Sequence, residues 1–210
     1  AQAIAAMAYG TESVRKVDVI VGPGNVYVAQ AKQQVAGAVR VPSAFTGPSE
    51  VVVVADGTSP AEFTATDLVA QTEHGPDGMS WLVTWDEAVA DAVDAALDGV
   101  LKNAPRGTEI AGTLASSGRC VLVDDEQQAL AVVDAISPEH LQLMVDAPEN
   151  LAERVRNAGA VFLGPWTPTS IGDYVAGPSH VLPTAGTARF AGALTVADFT
   201  KDVNLVTADP

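Results

Sequence analysis

The sequence predicts an α/β fold with a mainly parallel sheet, and two observations support this prediction. Short runs rich in β-branched residues alternate along the chain with longer amphipathic stretches, as in chains built from strand–helix–strand units. One of these runs, Glu50–Ala55 (EVVVVA), is apolar almost throughout, which is typical of a strand buried on both faces of a parallel sheet. With 210 residues, of which 48% are hydrophobic, the chain can bury one sizeable core or two modest ones.

Turn and capping residues set the boundaries between the predicted elements. Residues 22–25 (GPGN) form a break between the first strand and the first helix. Residues 59–62 (SPAE) fit a capping box with proline at the first helical position, and residues 146–149 (DAPE) fit a second capping box, so each predicts a helix start. The predicted strands cover residues 17–21, 50–55, 80–84, 119–123, 141–145 and 160–163. The predicted helices cover residues 26–35, 59 to about 73, 87–101, 126–136 and 146 to about 159.

The charge balance and the hydropathy pattern exclude two classes of partner. The chain carries 11 Lys and Arg against 26 Asp and Glu, a net charge of −15, and such an acidic surface repels phosphate backbones. We therefore expect no nucleic-acid partner. The apolar runs are far shorter than the roughly 20 residues that a membrane-spanning helix needs, so we expect no membrane partner either.

The cysteine count limits the chemistry further. The single cysteine, Cys120, excludes an internal disulfide and a cysteine-rich zinc site. Because Cys120 opens an apolar run, we predict a thiol buried in the core. The sequence shows no secretory signal pattern, so the expected location is cytoplasmic.

Two of the three histidines have polar neighbours that suggest chemistry. Gln71 and His74 are three residues apart on a predicted helix, so both side chains point from one face and could hold a metal ion from one side. The alternative is a solvated helix end.

Glu139 and His140 are adjacent where a helix gives way to a strand, which suits an acid–base pair. The alternative there is a loop carboxylate beside a half-buried histidine.

Residues 164–187 form a long stretch rich in Gly, Pro, Ser and Thr, without a strong period. Long loops inside compact domains are commonly functional. This one carries Asp173, which could supply an oxygen ligand to a metal held by Gln71 and His74, and the third histidine, His180. The alternative is an ordinary turn in which Asp173 caps the backbone.

Six blocks, in order along the chain, resemble the histidinol dehydrogenase family. They are AQAIAAMAYGTESV (1–14), VGPGNVYVAQAK (21–32), GPSEVVVVAD (47–56), DLVAQTEHGPD (67–77), SPEHLQLMV (137–145) and GDYVAGPSHVLPTAGTARF (172–190). The resemblance implies an oxidoreductase of histidine biosynthesis that converts L-histidinol to L-histidine through L-histidinaldehyde. The same resemblance implies one catalytic Zn²⁺, two NAD and a homodimer.

The resemblance also implies roles for individual residues. These are Gln71, His74 and Asp173 as zinc ligands, Glu139 and His140 as the catalytic acid–base pair, Ser49 and His180 as substrate contacts, and Gln2 and Asn25 as NAD contacts.

The family fold consists of two incomplete Rossmann-like domains with mainly parallel sheets. On that map, residues 1–48 are the C-terminal part of the NAD-binding domain, 49–190 are the second domain with the zinc and substrate site, and 191–210 lead toward a C-terminal tail. In the family that tail carries a further histidine ligand, and no histidine follows His180 here. We therefore expect a fragment or truncated form, with little activity from the 210 residues alone.

Two other functions remain open from the sequence. One is a related NAD-dependent dehydrogenase of another small alcohol, which would keep the Glu139–His140 pair with a different pocket. The other is a catalytically inactive fragment that only folds or associates.

Overall fold

The computed structural model describes residues 1–43, 47–73, 75 and 77–209. The chain divides into two compact units. The smaller consists of Ala1–Ala44 with Leu194–Pro210, and the larger is Phe45–Ala193.

The described part of the larger unit forms one five-stranded sheet in which every neighbouring pair is parallel. The strand order is β3-β2-β1-β4-β5. The strands are β1 (Glu50–Ala55), β2 (Met79–Thr84), β3 (Gly118–Leu122), β4 (His140–Met144) and β5 (Ala160–Leu163). The predicted α/β fold with a mainly parallel sheet is confirmed.

The valine run of β1 explains its central position in the sheet. All six residues of β1 are buried, and successive side chains point to opposite faces. Val51 and Val53 pack with Leu68, on the face covered by α3 (Ala61–Thr72) and α4 (Glu87–Asn103). Val52 and Val54 pack on the other face, with the cluster that includes Leu130 and Val133 of α6 (Glu126–Ile136). A strand apolar on both faces is therefore stabilised by helices on both sides.

Shorter helices complete the larger unit. They are α5 (Gly107–Ser117), α7 (Pro148–Ala152) and α8 (Ser170–Tyr174), with a 3-10 turn at Thr187–Arg189. None of the helices described is long and apolar enough to cross a membrane.

The smaller unit is built on α1 (Gln2–Tyr9) and α2 (Val26–Val35). Its core contains Ile4, Ala8, Ile20, Val35 and Val39. The strand predicted at residues 17–21 is wrong. In the described residues that segment makes a single parallel bridge, Val19 to Arg40, and one bridge is too short to form a strand.

Neither predicted capping box forms, and the N-cap of each helix lies one residue later than predicted. Pro60 is extended (ψ 123°) and stands at the N-cap of α3 without a side-chain cap, so the preceding serine lies outside the cap position. Ala147 is likewise the N-cap of α7, which ends at Ala152 rather than near residue 159. The backbone after α7 is not helical. The amides of Arg156 and Asn157 both donate to Asp134 Oδ1 at 3.1 Å instead.

The prediction of a core thiol is also wrong. Cys120 is exposed, because β3 is an edge strand and only β2 pairs with it among the described strands. An apolar run thus marks a strand, but it does not distinguish a central strand from an edge strand.

Candidate active site

The candidate site lies at the amino ends of the central strands. Ser49 immediately precedes β1, Glu139 immediately precedes β4, and His140 is the first residue of β4. In most open α/β sheets, ligands bind outside the carboxyl ends of the strands instead. The site lies at the amino ends here because its polar residues, Ser49, Glu139 and His140, stand just before or at the start of β1 and β4.

Hydrogen bonds join these three residues into one cluster, which we call the Ser49 cluster (Ser49, Glu139 and His140). Ser49 Oγ donates to Glu139 Oε2 at 2.6 Å, and the backbone amide of Glu50 donates to the same oxygen at 3.2 Å. His140 Nδ1 lies 3.5 Å from Glu139 Oε2 and 3.3 Å from the Glu50 carbonyl oxygen. Glu139 and His140 are each 8% exposed.

The surroundings of Nδ1 indicate how the imidazole of His140 can act. Two acceptor oxygens face Nδ1, which favours the tautomer protonated at that nitrogen. Nε2 then has the lone pair, so it is the nitrogen that can accept a proton. The ring also lies against Phe162, with the ring centroids 6.0 Å apart.

A tight turn positions Glu139 and His140. Ser137 ends α6 in the left-handed conformation (φ 55°), and Pro138 follows. The Glu139 carbonyl then accepts from the amide of Ala160 at 2.9 Å. Gly159 leaves room for this approach, since a Cβ there would stand 2.6 Å from the Glu139 carbonyl oxygen. The backbone around the acid–base pair is therefore fixed from both β4 and β5.

A polar cleft of about 300 Å³ opens beside His140. Gln71, from α3, and Asp173, from α8, both line it. Gln71 is only 3% exposed, whereas Asp173 is exposed. Thr169, Ser170 and Tyr174 are among the other lining residues.

The predicted zinc ligands are only partly described. Gln71 and Asp173 line the same cleft, while His74 lies outside the described residues. Within the described ranges, no group of three or more His, Cys, Asp and Glu side chains is placed to hold a metal ion. A carboxylate, as in Asp173, and an imidazole are usual zinc ligands, and Gln71 adds a neutral amide oxygen on the same cleft. The convergence of all three on one point stays a prediction.

A second, largely apolar cavity of about 190 Å³ borders the cleft. His140 and Asp173 line both spaces, and His180 lines only this one. Ile171 and Phe162 supply part of its apolar wall. The structure thus places His180 on the wall of a cavity that His140 also lines, while its role toward substrate stays a prediction.

The two residues predicted to contact NAD lie in the smaller unit. Gln2 is exposed at the first position of α1. Asn25 is the N-cap of α2, where its Oδ1 accepts from the amides of Tyr27 and Val28 at 3.1 and 3.2 Å. Asn25 therefore has a structural role in the helix, and the NAD contacts stay predictions.

Sequence reasoning missed two buried carboxyl groups near the site. Glu50 is 2% exposed; burial and the nearby charge of Glu139 raise its pKa to about 7, although backbone amides oppose the rise. Asp67 is 4% exposed, and burial raises its pKa to about 6, against a hydrogen bond from the Thr169 backbone. The sequence offered one signal for each group. Glu50 is an acidic residue at the start of an apolar strand, and Asp67 lies four residues before Gln71, on the same face of the helix.

Comparisons with known proteins agree along the whole chain. The family model described as "Histidinol dehydrogenase" matches residues 1–210. A histidinol dehydrogenase from Parasynechococcus marenigrum is 49% identical over 206 residues, 98% of this chain and 47% of the relative. Another, from Methylococcus capsulatus, is 49% identical over 210 residues, 100% of this chain and 48% of the relative.

A solved structure is also similar. The crystal structure of histidinol dehydrogenase from Elizabethkingia anophelis matches with a TM-score of 0.89 and 39% identity, covering 94% of this chain and 45% of that one. The chain spans about half the length of the curated relatives it matches.

Proposed function

Because the chain belongs to the histidinol dehydrogenase family, we propose that it carries part of the site that oxidises L-histidinol to L-histidine. The reaction would pass through L-histidinaldehyde and serve histidine biosynthesis. The observation that carries this proposal is the Ser49 cluster, in which an imidazole and a carboxylate are held together beside a polar cleft.

The first oxidation needs a base at the substrate hydroxyl. His140 presents Nε2 as its proton acceptor, and we assign it the removal of the hydroxyl proton while hydride leaves the carbon. NAD, when bound, supplies the acceptor for the hydride in each of the two oxidations. Glu139 keeps the imidazole in position through the contact of its Oε2 with Nδ1.

The second oxidation needs a water molecule that adds to the aldehyde. Glu139 supplies the carboxylate of the cluster, with Oε2 3.5 Å from His140 Nδ1, and we assign it the activation of this water. After His140 has released the first proton to solvent, the hydrate gives up a hydride from its carbon and a proton to His140. Burial of both side chains limits access of bulk water, which protects the aldehyde between the two steps.

The proposal includes a zinc ion held by Gln71, His74 and Asp173. Two of these donors line the cleft next to His140, which supports the assignment. A zinc ion, when bound, would position the substrate and supply positive charge. Ser49 and His180 would contact the substrate, and the family resemblance supports NAD contacts at Gln2 and Asn25, a homodimer and a cytoplasmic location.

Substitution of the acid–base pair tests this proposal in purified enzyme that contains these 210 residues. His140→Asn should slow the oxidation of both L-histidinol and L-histidinaldehyde by about 10² to 10⁴-fold, because both steps use the same base. Glu139→Gln should slow the aldehyde step preferentially, because only that step needs the added water. NADH formation from each substrate measures the two steps.

The exposed carboxylate of Glu153 provides the matched control, and Glu153→Gln should leave both rates unchanged. If Glu139→Gln slowed only the alcohol step, the division of roles between Glu139 and His140 would be wrong. If His140→Asn left both rates near those of the wild type, the proposed function of the cluster would fail.

A further inference from the structure

On the basis of the proposed function, we infer that Glu50 is a positioning residue whose buried carboxyl group ties the Ser49 cluster to the turn at residues 184–187. This turn forms the end of the stretch 164–187, which also carries His180. Glu50 would act through other residues and would not touch the substrate itself.

The backbone of Glu50 contacts both members of the acid–base pair. Its amide donates to Glu139 Oε2 at 3.2 Å, and its carbonyl oxygen lies 3.3 Å from His140 Nδ1. Any shift of Glu50 would therefore change two contacts that orient the pair. A displacement of about 1 Å can cost an enzyme roughly 10²-fold in rate.

The side chain of Glu50 faces a turn with unusual geometry. Ala185 and Gly186 are both left-handed, with φ of 55° and 73°, and alanine rarely adopts this conformation. The backbone amides of both residues, and that of Glu139, interact with the Glu50 carboxyl group. Successive amides that interact with one carboxyl group form an anion-binding turn, so the side chain and the turn stabilise each other.

The segment before β1 holds the same turn from a second side. The amide of Gly47 donates to Thr184 Oγ1 at 2.6 Å, and a Cβ on Gly47 would stand 2.6 Å from that of Ala185. The turn therefore contacts both Gly47, two residues before Ser49, and Glu50, the residue after it.

The Glu50 carboxyl group itself is not fully paired. Its Oε1 is buried and meets no hydrogen-bond partner among the described residues. Glu139 and His140, at the start of β4, are the neighbouring titratable groups, whereas the turn offers backbone amides. Because burial and the charge of Glu139 raise the pKa of Glu50 to about 7, its hydrogen bonds to the turn should change in the neutral range.

An NMR titration of the chain tests the contact directly. In the ¹⁵N-labelled wild type, the amide signals of Ala185 and Gly186 should shift between pH 5 and 9 with a midpoint of about 7. In Glu50→Gln this titration should disappear, and in Glu139→Gln its midpoint should move to lower pH. The control Glu153→Gln should behave as the wild type.

Two results would overturn the contact. Signals that stay constant in the wild type would show that the carboxyl group does not act on the turn. Signals that still titrate in folded Glu50→Gln would show that His140 or Glu139 causes the shift. Constant signals in the wild type would overturn the contact even if a variant failed to fold.

Kinetics of enzyme that contains these residues test the positioning role. Glu50→Ala should lower kcat for histidinol by about 10²-fold or more, with KM changed less than about threefold, because the base is misplaced while binding remains. Glu50→Gln keeps an acceptor oxygen and should recover kcat to within about tenfold of the wild type. A purely structural role would instead lower the folded fraction and leave kcat per folded molecule unchanged.

These two measurements separate the inference from the function on which it rests. If the wild type did not oxidise histidinol, the proposed function would fail, and the amide titration would still decide whether Glu50 holds the turn. If the wild type were active and Glu50→Ala retained full kcat, the positioning role alone would be refuted.

Discussion

Ser49 and Glu139 are 90 residues apart in the sequence, and a 2.6 Å hydrogen bond from Ser49 Oγ to Glu139 Oε2 joins them. The bond depends on the register of β1 with β4, in which Val51 lies opposite His140. The strand pairing therefore aligns the two residues that lead into neighbouring strands.

Ser49→Ala should lower kcat/KM for histidinol by about 10 to 100-fold, because Glu139 loses the donor that fixes its Oε2. The loss should be partial, since the Glu50 amide still donates to the same oxygen. Removing this hydrogen bond should also lower the free energy of unfolding by about 1 kcal/mol. Steady-state kinetics and urea denaturation measure both effects. Ser116→Ala, at an exposed serine, is the control, and equal kinetic losses in the two variants would contradict the prediction.

Asp173→Asn should weaken Zn²⁺ binding by at least about tenfold, because a neutral amide oxygen replaces an anionic ligand. Gln71→Ala should weaken it as well, since it removes a donor from the same cleft. Isothermal titration with zinc measures both affinities without any need for catalysis. Asp202→Asn, at an exposed aspartate, should bind zinc as the wild type does. Unchanged affinity in both site variants would place the zinc elsewhere.

Asp67→Asn should remove a pH-dependent loss of stability. The pKa of Asp67 is about 6 in the folded chain against 3.8 for the free side chain, so the folded state binds the proton more tightly. Stability should therefore fall as the pH rises from about 4 to 7, by up to roughly 3 kcal/mol from this group.

Urea denaturation at several pH values tests this prediction. The difference in free energy of unfolding between Asp67→Asn and the wild type should grow in favour of the variant over that range. Asp98→Asn, at an exposed position of α4, is the control. A constant difference between pH 4 and 7 would show that Asp67 ionises as freely in the folded chain as in the unfolded one.

Lys32→Met should destabilise the smaller unit by about 2 kcal/mol, because it leaves two partly buried carbonyl oxygens without their donor. Lys32 is 1% exposed, and its ammonium group donates to the carbonyl oxygens of Gly22 and Ser43. Hydrogen exchange should accelerate in α2 and remain unchanged in β1, which lies in the larger unit. Lys201→Met, at an exposed lysine, is the control. Equal protection of α2 in both variants would contradict the prediction.

The sequence pattern predicted those helices and strands whose bounds depend on neighbouring residues alone. The bounds of α2, α6 and β1 agree with the structure to the residue, because their apolar periodicity and end residues are strong. The strand predicted at residues 17–21 failed because a strand requires a partner, and among the described residues only Arg40 pairs there. The exposure of Cys120 likewise depends on the order of strands, which no single run contains.

The site shows the same division between local and long-range information. The adjacency of Glu139 and His140 was visible in the sequence, whereas their contact with Ser49 depends on strand register. Glu50 looked like an ordinary strand residue. Burial and the charge of Glu139 raise its pKa, while the amides of a turn more than 130 residues away oppose the rise, so local pattern could not reveal these influences.

The location of the candidate site at the amino ends of the strands leaves the opposite rim of the sheet available for labelling. β4 has five residues, so the loop that follows it lies roughly 15 Å from His140. A fluorophore or affinity tag attached at Asp124, beyond the carboxyl end of β3, would sit on this distal rim. Immobilised or labelled protein of this kind would keep the cleft open to small molecules, which suits single-molecule and surface-binding measurements.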